Sequence, residues 1–160
     1  MSTITASLPD WLRPIATMIE AAGGSGGFLV AFPQYRPTLV RAMAEAFDLA
    51  FVDFRAERLS ALGSRAPQLE LGALSEAIME ANACYGRGVV LHNVEALLAS
   101  KPEAERRAWL ASVVAAGWGF PVVVPVALYQ PEMPAAVDRV CRLDPEHIPE
   151  ESLLMRLASR

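Results

Sequence analysis

Three polar residues, Gln34, Arg36 and Thr38, stand between an apolar run that predicts a strand and an amphipathic run that predicts a helix. Phosphate groups bind at such positions, because backbone amides at a helix start and a nearby cation can face the ligand. Arg36 is the candidate cation, since a guanidinium binds phosphate well. Pro37 lies between Arg36 and Thr38 and supplies neither a charge nor an amide hydrogen. We therefore favour a solvated loop arginine at Arg36 over a phosphate ligand.

A second group of polar residues, His92, Asn93 and Glu95, follows the apolar run 89–91. Magnesium prefers hard oxygen ligands, so a neutral imidazole at His92 is a poor magnesium ligand. The favoured interpretation of His92 is a histidine at the end of a strand with one satisfied hydrogen bond. Glu95 is predicted to be an acidic residue at the start of a helix. Asn93 and Glu95 are candidate nucleotide-binding residues only if the loop around Arg36 binds a triphosphate.

Two aromatic residues, Trp118 and Phe120, cluster around the turn formed by Gly117 and Gly119. Exposed aromatic side chains anchor protein interfaces, so both residues are candidates for a contact with a partner or a second copy of the chain. Trp109 has the helical spacing of a core residue and is predicted to be buried.

The two cysteines, Cys84 and Cys141, lack the spacing of a metal site, and each lies among apolar residues. The sequence predicts two buried free thiols and no metal site.

Helical and strand-like segments alternate along the chain, which predicts an α/β fold with a parallel sheet covered on both faces. We expect a single domain over 1–160, with an N-terminal helix and a Gly-rich connector in 1–27 and the sheet domain in 28–160. The predicted fold is a three-layer sandwich around a five-stranded, mainly parallel sheet. Strands are predicted at 28–32, 49–54, 89–92, 121–128 and within 137–143, and helices at 10–22, 38–47, 56–62, 71–84, from 102 and from 149.

The composition is that of a folded protein, with 53% hydrophobic and 20% charged residues. A net charge of −4 argues against nucleic acid as a direct ligand, because phosphate contacts need a basic surface. No apolar run reaches the length of about 18 residues that suggests a membrane-spanning helix. The segment 1–6 has no charged and apolar signal pattern, so we expect a cytoplasmic protein.

The two polar groups lie where a P-loop NTPase carries its phosphate loop and its magnesium-binding acid. Of the pattern G-x-x-x-x-G-K-[ST], the segment 31–38 retains only Thr38, and Pro37 replaces the lysine. The segment 90–98 resembles the D-N-x-E-x-L form of the second motif, with His92 in place of the aspartate. The span 28–154 thus resembles the P-loop NTPase superfamily with both motifs degenerate.

More narrowly, the chain is similar to the AAA+ and RecA-type branch, in which a strand (here 49–54) intervenes between the two motifs. This resemblance implies the sheet order 5-1-4-3-2. Gln130 is the nearest substitute for the polar sensor residue of that branch, and Arg139 resembles the arginine that flanks its last strand. For Arg139, we favour a sheet-edge arginine. The size and the N-x-E pattern are also similar to the small P-loop proteins of type 3 BREX phage-defence systems.

The resemblance implies two functions. The first is a catalytically inactive, regulatory or scaffolding subunit that binds a protein partner or a second copy of itself and needs no cofactor. The alternative is a small nucleotide-binding ATPase subunit in a phage-defence or DNA-transaction system. Its ATP and magnesium would be bound by Gln34, Arg36, Thr38, Asn93 and Glu95. A third possibility, a different class of α/β domain, would show another sheet order, and the chain has no G-x-S-x-G motif for hydrolase chemistry.

Overall fold

A computed structural model describes residues 8–150. Within this range the chain forms five α-helices and five strands, together with a π-helical turn at Arg55–Leu59 and 3₁₀ turns at Asp10–Leu12, Gly63–Gln68 and Gln130–Glu132. The helices are α1 (Arg13–Ala21), α2 (Pro37–Ala46), α3 (Gly72–Tyr85), α4 (Glu95–Leu98) and α5 (Glu103–Ala115). The strands are β1 (Gly26–Ala31), β2 (Ala50–Asp53), β3 (Val89–His92), β4 (Pro121–Val126) and β5 (Val140–Arg142).

The five strands form one sheet in the order β2-β3-β4-β1-β5, and every pair of neighbours is parallel. The predicted α/β class and the predicted order 5-1-4-3-2 are thereby confirmed. The longest register joins β1 to β4, from Gly26 opposite Pro121 to Ala31 opposite Val126. Because all strands run the same way, the segments that follow β1, β3 and β4 meet at one edge of the sheet.

Each face of the sheet has its own hydrophobic core. Leu29 and Ala31 of β1 belong to the core that α3, α4 and α5 cover. Val30 points the other way, into the core that α1 and α2 cover. This alternation follows from the period of two residues along a strand, and it produces the three layers that the sequence predicts.

The connector before β1 is shorter than predicted, since Gly26 and Gly27 belong to the strand. A Cβ atom at Gly27 would lie 1.8 Å from the carbonyl oxygen of Val113 in α5. Glycine is therefore needed inside the strand for the close approach of α5. The Arg139 guanidinium packs against Gly26 and lies 5.2 Å from the centre of the Phe28 ring.

Two predictions about single side chains have opposite outcomes. Trp109 is buried, as predicted. The predicted burial of both cysteines is wrong, because Cys84 is exposed on the last turn of α3 and Cys141 is only half-buried. The predicted helix from residue 149 falls almost entirely outside the described residues. Within residues 8–150, no helix combines the length and the apolar character needed to cross a membrane.

Candidate functional site

A cavity of about 340 Å³ opens at the carboxyl ends of β1, β3 and β4. Ligands of open α/β sheets bind at this edge, and the volume is within the range of about 300–1,000 Å³ for ligand pockets. Four of the five candidate nucleotide-binding residues, Gln34, Arg36, Asn93 and Glu95, line the cavity, whereas Thr38 does not. The remaining lining residues are Phe32, Tyr35, Val40, Arg55, His92, Ala96, Ala99, Pro125, Val126, Ala127 and Leu128.

The segment between β1 and α2 is fastened to the segment after β4. The Phe32 amide donates to the carbonyl oxygen of Val126 at 2.8 Å. In return, the Gln130 side-chain amide donates to the carbonyl oxygens of Phe32 and Ala127. Gln130, the candidate sensor residue, thus binds the two loops together. In the segment 32–36, Pro33 has no amide hydrogen and the Phe32 amide is already bonded, so neither can bind a phosphate group.

Arg36 is buried, with 4% of its surface exposed, so the prediction of a solvated loop arginine was wrong. Its Nη2 donates a hydrogen bond to the carbonyl oxygen of Pro149 at 2.8 Å. A buried guanidinium requires such a partner, because burying an unpaired charge is costly. The Oγ1 atom of Thr38 is also buried and makes no hydrogen bond within residues 8–150.

Glu95 is the first residue of α4, as predicted, but its carboxylate has a distant partner. Oε1 accepts a hydrogen bond from the Ala127 amide at 2.8 Å, and Oε2 accepts from Leu128 at 2.6 Å and from Tyr129 at 3.0 Å. Three backbone dipoles after β4 therefore compensate the negative charge of Glu95. This contact cannot be predicted from the residue types, because the three donors are backbone groups more than thirty residues away.

His92 ends β3 and is buried, with 4% of its surface exposed. Its ring stacks on Tyr35, with ring centres 5.5 Å apart, and its Nε2 lies 3.4 Å from the Tyr35 hydroxyl. Phe51 packs near it, with ring centres 5.6 Å apart. Burial is the main cause that lowers the pKa of His92, and Arg41 acts in the same direction, while Asp53 opposes them. The lowered pKa favours the neutral imidazole, and the contact with Tyr35 is consistent with a strand-end histidine that has one hydrogen bond.

Asn93 joins the end of β3 to the end of β2. Its Nδ2 donates to Oδ1 of Asp53 at 2.8 Å, and its φ of 65° lies in the left-handed region, which asparagine tolerates better than most residues. The Asp53 amide in turn donates to Oε2 of Glu57 at 2.9 Å. These contacts fix the turn after β3 and engage the Nδ2 atom of Asn93.

An ion pair holds the segment after β4 in place from outside the cavity. Nε of Arg106 donates to Oε2 of Glu132 at 2.8 Å, and Nη2 donates to Oε1 at 2.6 Å. The Arg106 guanidinium also lies 4.6 Å from the centre of the Tyr129 ring. The hydrogen bonds from Arg106 lower the pKa of Glu132. Arg106 and Glu95 therefore position the same short segment from two sides.

The two candidate interface residues precede β4, at the opposite edge of the sheet from the cavity. The rings of Trp118 and Phe120 lie 5.8 Å apart, and both are partly buried against the core. The indole nitrogen of Trp118 donates to the carbonyl oxygen of Val113 at 3.0 Å. Part of each side chain is therefore buried within the protein itself. A role of Trp118 and Phe120 in an interface stays a prediction.

The residues around the cavity do not suit a magnesium ion. The carboxylate oxygens of Glu95 accept backbone hydrogen bonds, His92 offers nitrogen, and Thr38 lies outside the lining. Within residues 8–150, no three His, Cys, Asp or Glu side chains come together in a way that could hold a metal ion.

Comparison with protein-family models, with curated proteins and with solved structures finds no match to this chain.

Proposed function

We propose that this protein is a catalytically inactive relative of the P-loop NTPases that acts as a regulatory or scaffolding subunit through protein contacts. The observation that carries the proposal is the engagement of the Glu95 carboxylate by three backbone amides. An NTPase needs an acid at this position to hold magnesium or to orient water, and electrostatic stabilisation of the transferred phosphoryl group supplies most of its catalysis. A carboxylate already bound by three donors is poorly suited to either task.

The environment of Arg36 supports the same proposal. The guanidinium is buried and donates to the carbonyl oxygen of Pro149. Binding a triphosphate through Arg36 would require this hydrogen bond to break or the guanidinium to share it. Pro37 begins α2, so one of the amides at the start of that helix is missing.

Exposed apolar side chains at the mouth of the cavity favour a role in protein contacts. Tyr35 and Leu128, on opposite loops, are 58% and 75% exposed. Large apolar side chains that remain in water together are typical of sites where another molecule docks. Trp118 and Phe120 remain candidates for a second contact surface.

Calorimetric titration with ATP, in the presence and absence of magnesium, tests the inactive assignment. We expect no binding at micromolar nucleotide and no hydrolysis above the background rate. The Glu95→Gln variant is the matched control. If Glu95 takes no part in hydrolysis, the variant and the unmodified protein should show the same background rate. Micromolar, magnesium-dependent binding would contradict the proposal.

One observation favours the alternative of a nucleotide-binding ATPase subunit: Gln34, Arg36, Asn93 and Glu95 line one cavity at the expected edge of the sheet. This alternative predicts that Arg36→Ala abolishes nucleotide binding, while Arg107→Ala, at an exposed site on α5, leaves it unchanged. An unaltered nucleotide affinity in Arg36→Ala would count against this alternative.

A further inference from the structure

We propose that the cavity binds a compact organic monoanion, with an aromatic or aliphatic body inside and a carboxylate or sulfonate group beside Arg55. This inference goes beyond the proposed function and does not require it. A ligand of this class needs neither magnesium nor a phosphate-binding loop.

The walls of the cavity select an apolar body. Phe32, Val40 and Val126 supply buried apolar surface, and Ala96 and Ala99 supply small apolar surface nearer the mouth. About 340 Å³ is near the lower end of the range for ligand pockets, so the ligand is small.

Most polar groups of the lining already have partners within the protein. The Glu95 carboxylate accepts three backbone hydrogen bonds, and the Asn93 amide donates to Asp53. His92 is within reach of the Tyr35 hydroxyl. A ligand with many hydrogen-bonding groups would leave them unpaired here, which costs free energy. The lining therefore disfavours a sugar or a triphosphate and favours an apolar ligand with one polar end.

Arg55 provides the position for that polar end. It begins the π-helical turn after β2, is exposed and lines the cavity. Among residues 8–150, no side chain forms an ion pair or a hydrogen bond with its guanidinium. An arginine at the mouth of an apolar cavity binds a carboxylate or sulfonate with two parallel hydrogen bonds.

The charges of the lining also favour an anion near Arg55. Arg55 is an exposed cation with no ion-pair partner among residues 8–150, whereas Arg36 is held within the protein, where it donates to the carbonyl oxygen of Pro149. Because three amides compensate Glu95, its repulsion of an anion near Arg55 is reduced. The exposed Tyr35 ring, held in place by stacking on His92, offers a flat surface to an aromatic ligand.

The test uses two fluorescent probes of similar shape, 1-anilinonaphthalene-8-sulfonate, which carries one negative charge, and N-phenyl-1-naphthylamine, which is neutral. We expect saturable binding of one sulfonate probe per chain. Arg55→Gln should weaken the sulfonate probe about tenfold, equivalent to about 1.4 kcal/mol, and leave the neutral probe unchanged. Arg107→Gln is the matched control for loss of a positive charge.

A second variant tests the location of the apolar body. Ala96→Phe places a ring at the exposed mouth, where it fills the cavity without disturbing the core, and should weaken both probes at least tenfold. Ala108→Phe, at an exposed position on α5, is its control, and circular dichroism confirms that each variant folds. The proposal is overturned if the sulfonate probe binds at several sites per chain or does not saturate. It is also overturned if the affinity for the sulfonate probe is unchanged in Arg55→Gln or in Ala96→Phe. Displacement of the sulfonate probe by micromolar ATP with magnesium would also overturn it, in favour of a nucleotide.

Discussion

The carboxylate of Glu95 joins the start of α4 to the segment after β4. Its position at the start of α4 is favourable for an acid because of the helix dipole. The carboxylate is stabilised more strongly by its hydrogen bonds from the amides of Ala127, Leu128 and Tyr129, which follow β4. These amides would otherwise have to find water or another acceptor. Glu95 therefore connects the two loops that form opposite sides of the cavity.

Replacement of Glu95 by glutamine tests this structural role. We expect the free energy of unfolding to fall by about 2–3 kcal/mol. The amide group of glutamine cannot accept from all three donors, and each hydrogen bond to a charged group contributes about 1.5–3 kcal/mol. Urea unfolding at pH 7 provides the measurement. Glu103→Gln, which removes an exposed pair with Arg107, should cost less than about 1 kcal/mol. Equal losses in the two variants would contradict the role of Glu95.

His92 should make stability depend on pH just below neutrality. Because burial lowers its pKa below the ordinary value of 6.5, the unfolded chain binds this proton more readily than the folded chain. The stability is then full above about pH 6.5 and is lost as the pH falls from there towards the folded-state pKa. Glu132 also has a lowered pKa, but its contribution is lost only at lower pH, because the ordinary pKa of a glutamate is 4.5.

We expect the free energy of unfolding to decrease between about pH 7.5 and pH 5.5 in the unmodified protein, and the decrease to be smaller in His92→Gln. Urea titrations at several pH values in that window measure both slopes. His147→Gln, at the other histidine, which is exposed, is the matched control for loss of an imidazole. An unchanged slope in His92→Gln would mean that His92 does not control this dependence.

At the scale of elements, the close contact between β1 and α5 depends on one glycine. A side chain at Gly27 would collide with the carbonyl oxygen of Val113 and would also approach the Trp118 ring at 3.1 Å. Backbone atoms cannot rotate away from such a collision as a flexible side chain can, so α5 would have to move. The half-buried position of Trp118 depends on the same contact.

Gly27→Ala should therefore destabilise the protein by about 1–3 kcal/mol or more, as overpacking does in other cores. Gly117→Ala provides the control, because no atom lies within 4 Å of the added Cβ there. The midpoint and slope of urea unfolding, compared between the two variants, measure the difference. A Gly27→Ala protein as stable as Gly117→Ala would show that α5 can shift at little cost.

The strands and most helices could be predicted from the sequence because their apolar patterns are local. The run of valines in 121–126 and the helical spacing of Trp109 with Leu110 and Val113 are examples. The sequence predicts that Gly26 and Gly27 belong to a connector, because glycine ends helices and tolerates any backbone angle. Gly27 is needed in β1 because of Val113 in α5, more than eighty residues later, whereas Gly26 has a φ of 107° and packs against the Arg139 side chain.

The site was less predictable than the fold for the same reason. The residue types predict a solvated arginine at Arg36 and an acid at a helix start at Glu95, with phosphate binding as the alternative. Their partners are instead backbone groups of Pro149 and of residues 127–129. Any residue supplies a backbone amide or carbonyl, so the sequence contains no sign of such a contact. The cavity itself depends on the relative positions of three loops. Only the parallel sheet order, which was predicted, indicated where these loops meet.

At the scale of the whole molecule, the site rests on the most central part of the sheet. β3, β4 and β1 each have a strand on both sides, whereas β2 and β5 are edge strands. The residues of β3 are all buried, while β5 has only three residues, which are half-buried or exposed. The cavity therefore lies against strands that should open only when the whole domain unfolds, whereas we expect β5 to separate by itself.

This difference predicts the pattern of amide hydrogen exchange. Exchange of the β1 and β4 amides should require an opening as costly in free energy as global unfolding. Exchange of the β5 amides should require a smaller free energy, because a local opening needs to break only the pairing of β5 with β1. Exchange followed by mass spectrometry at increasing urea concentrations distinguishes the two, since global opening is accelerated by urea much more than local opening. β2, the other edge strand, is the internal comparison, and its pairing with β3 over four residues should give it intermediate protection. If β5 exchanged as slowly as β4, the sheet would open as one cooperative unit, and the assignment of a stable centre with a separable edge would be wrong.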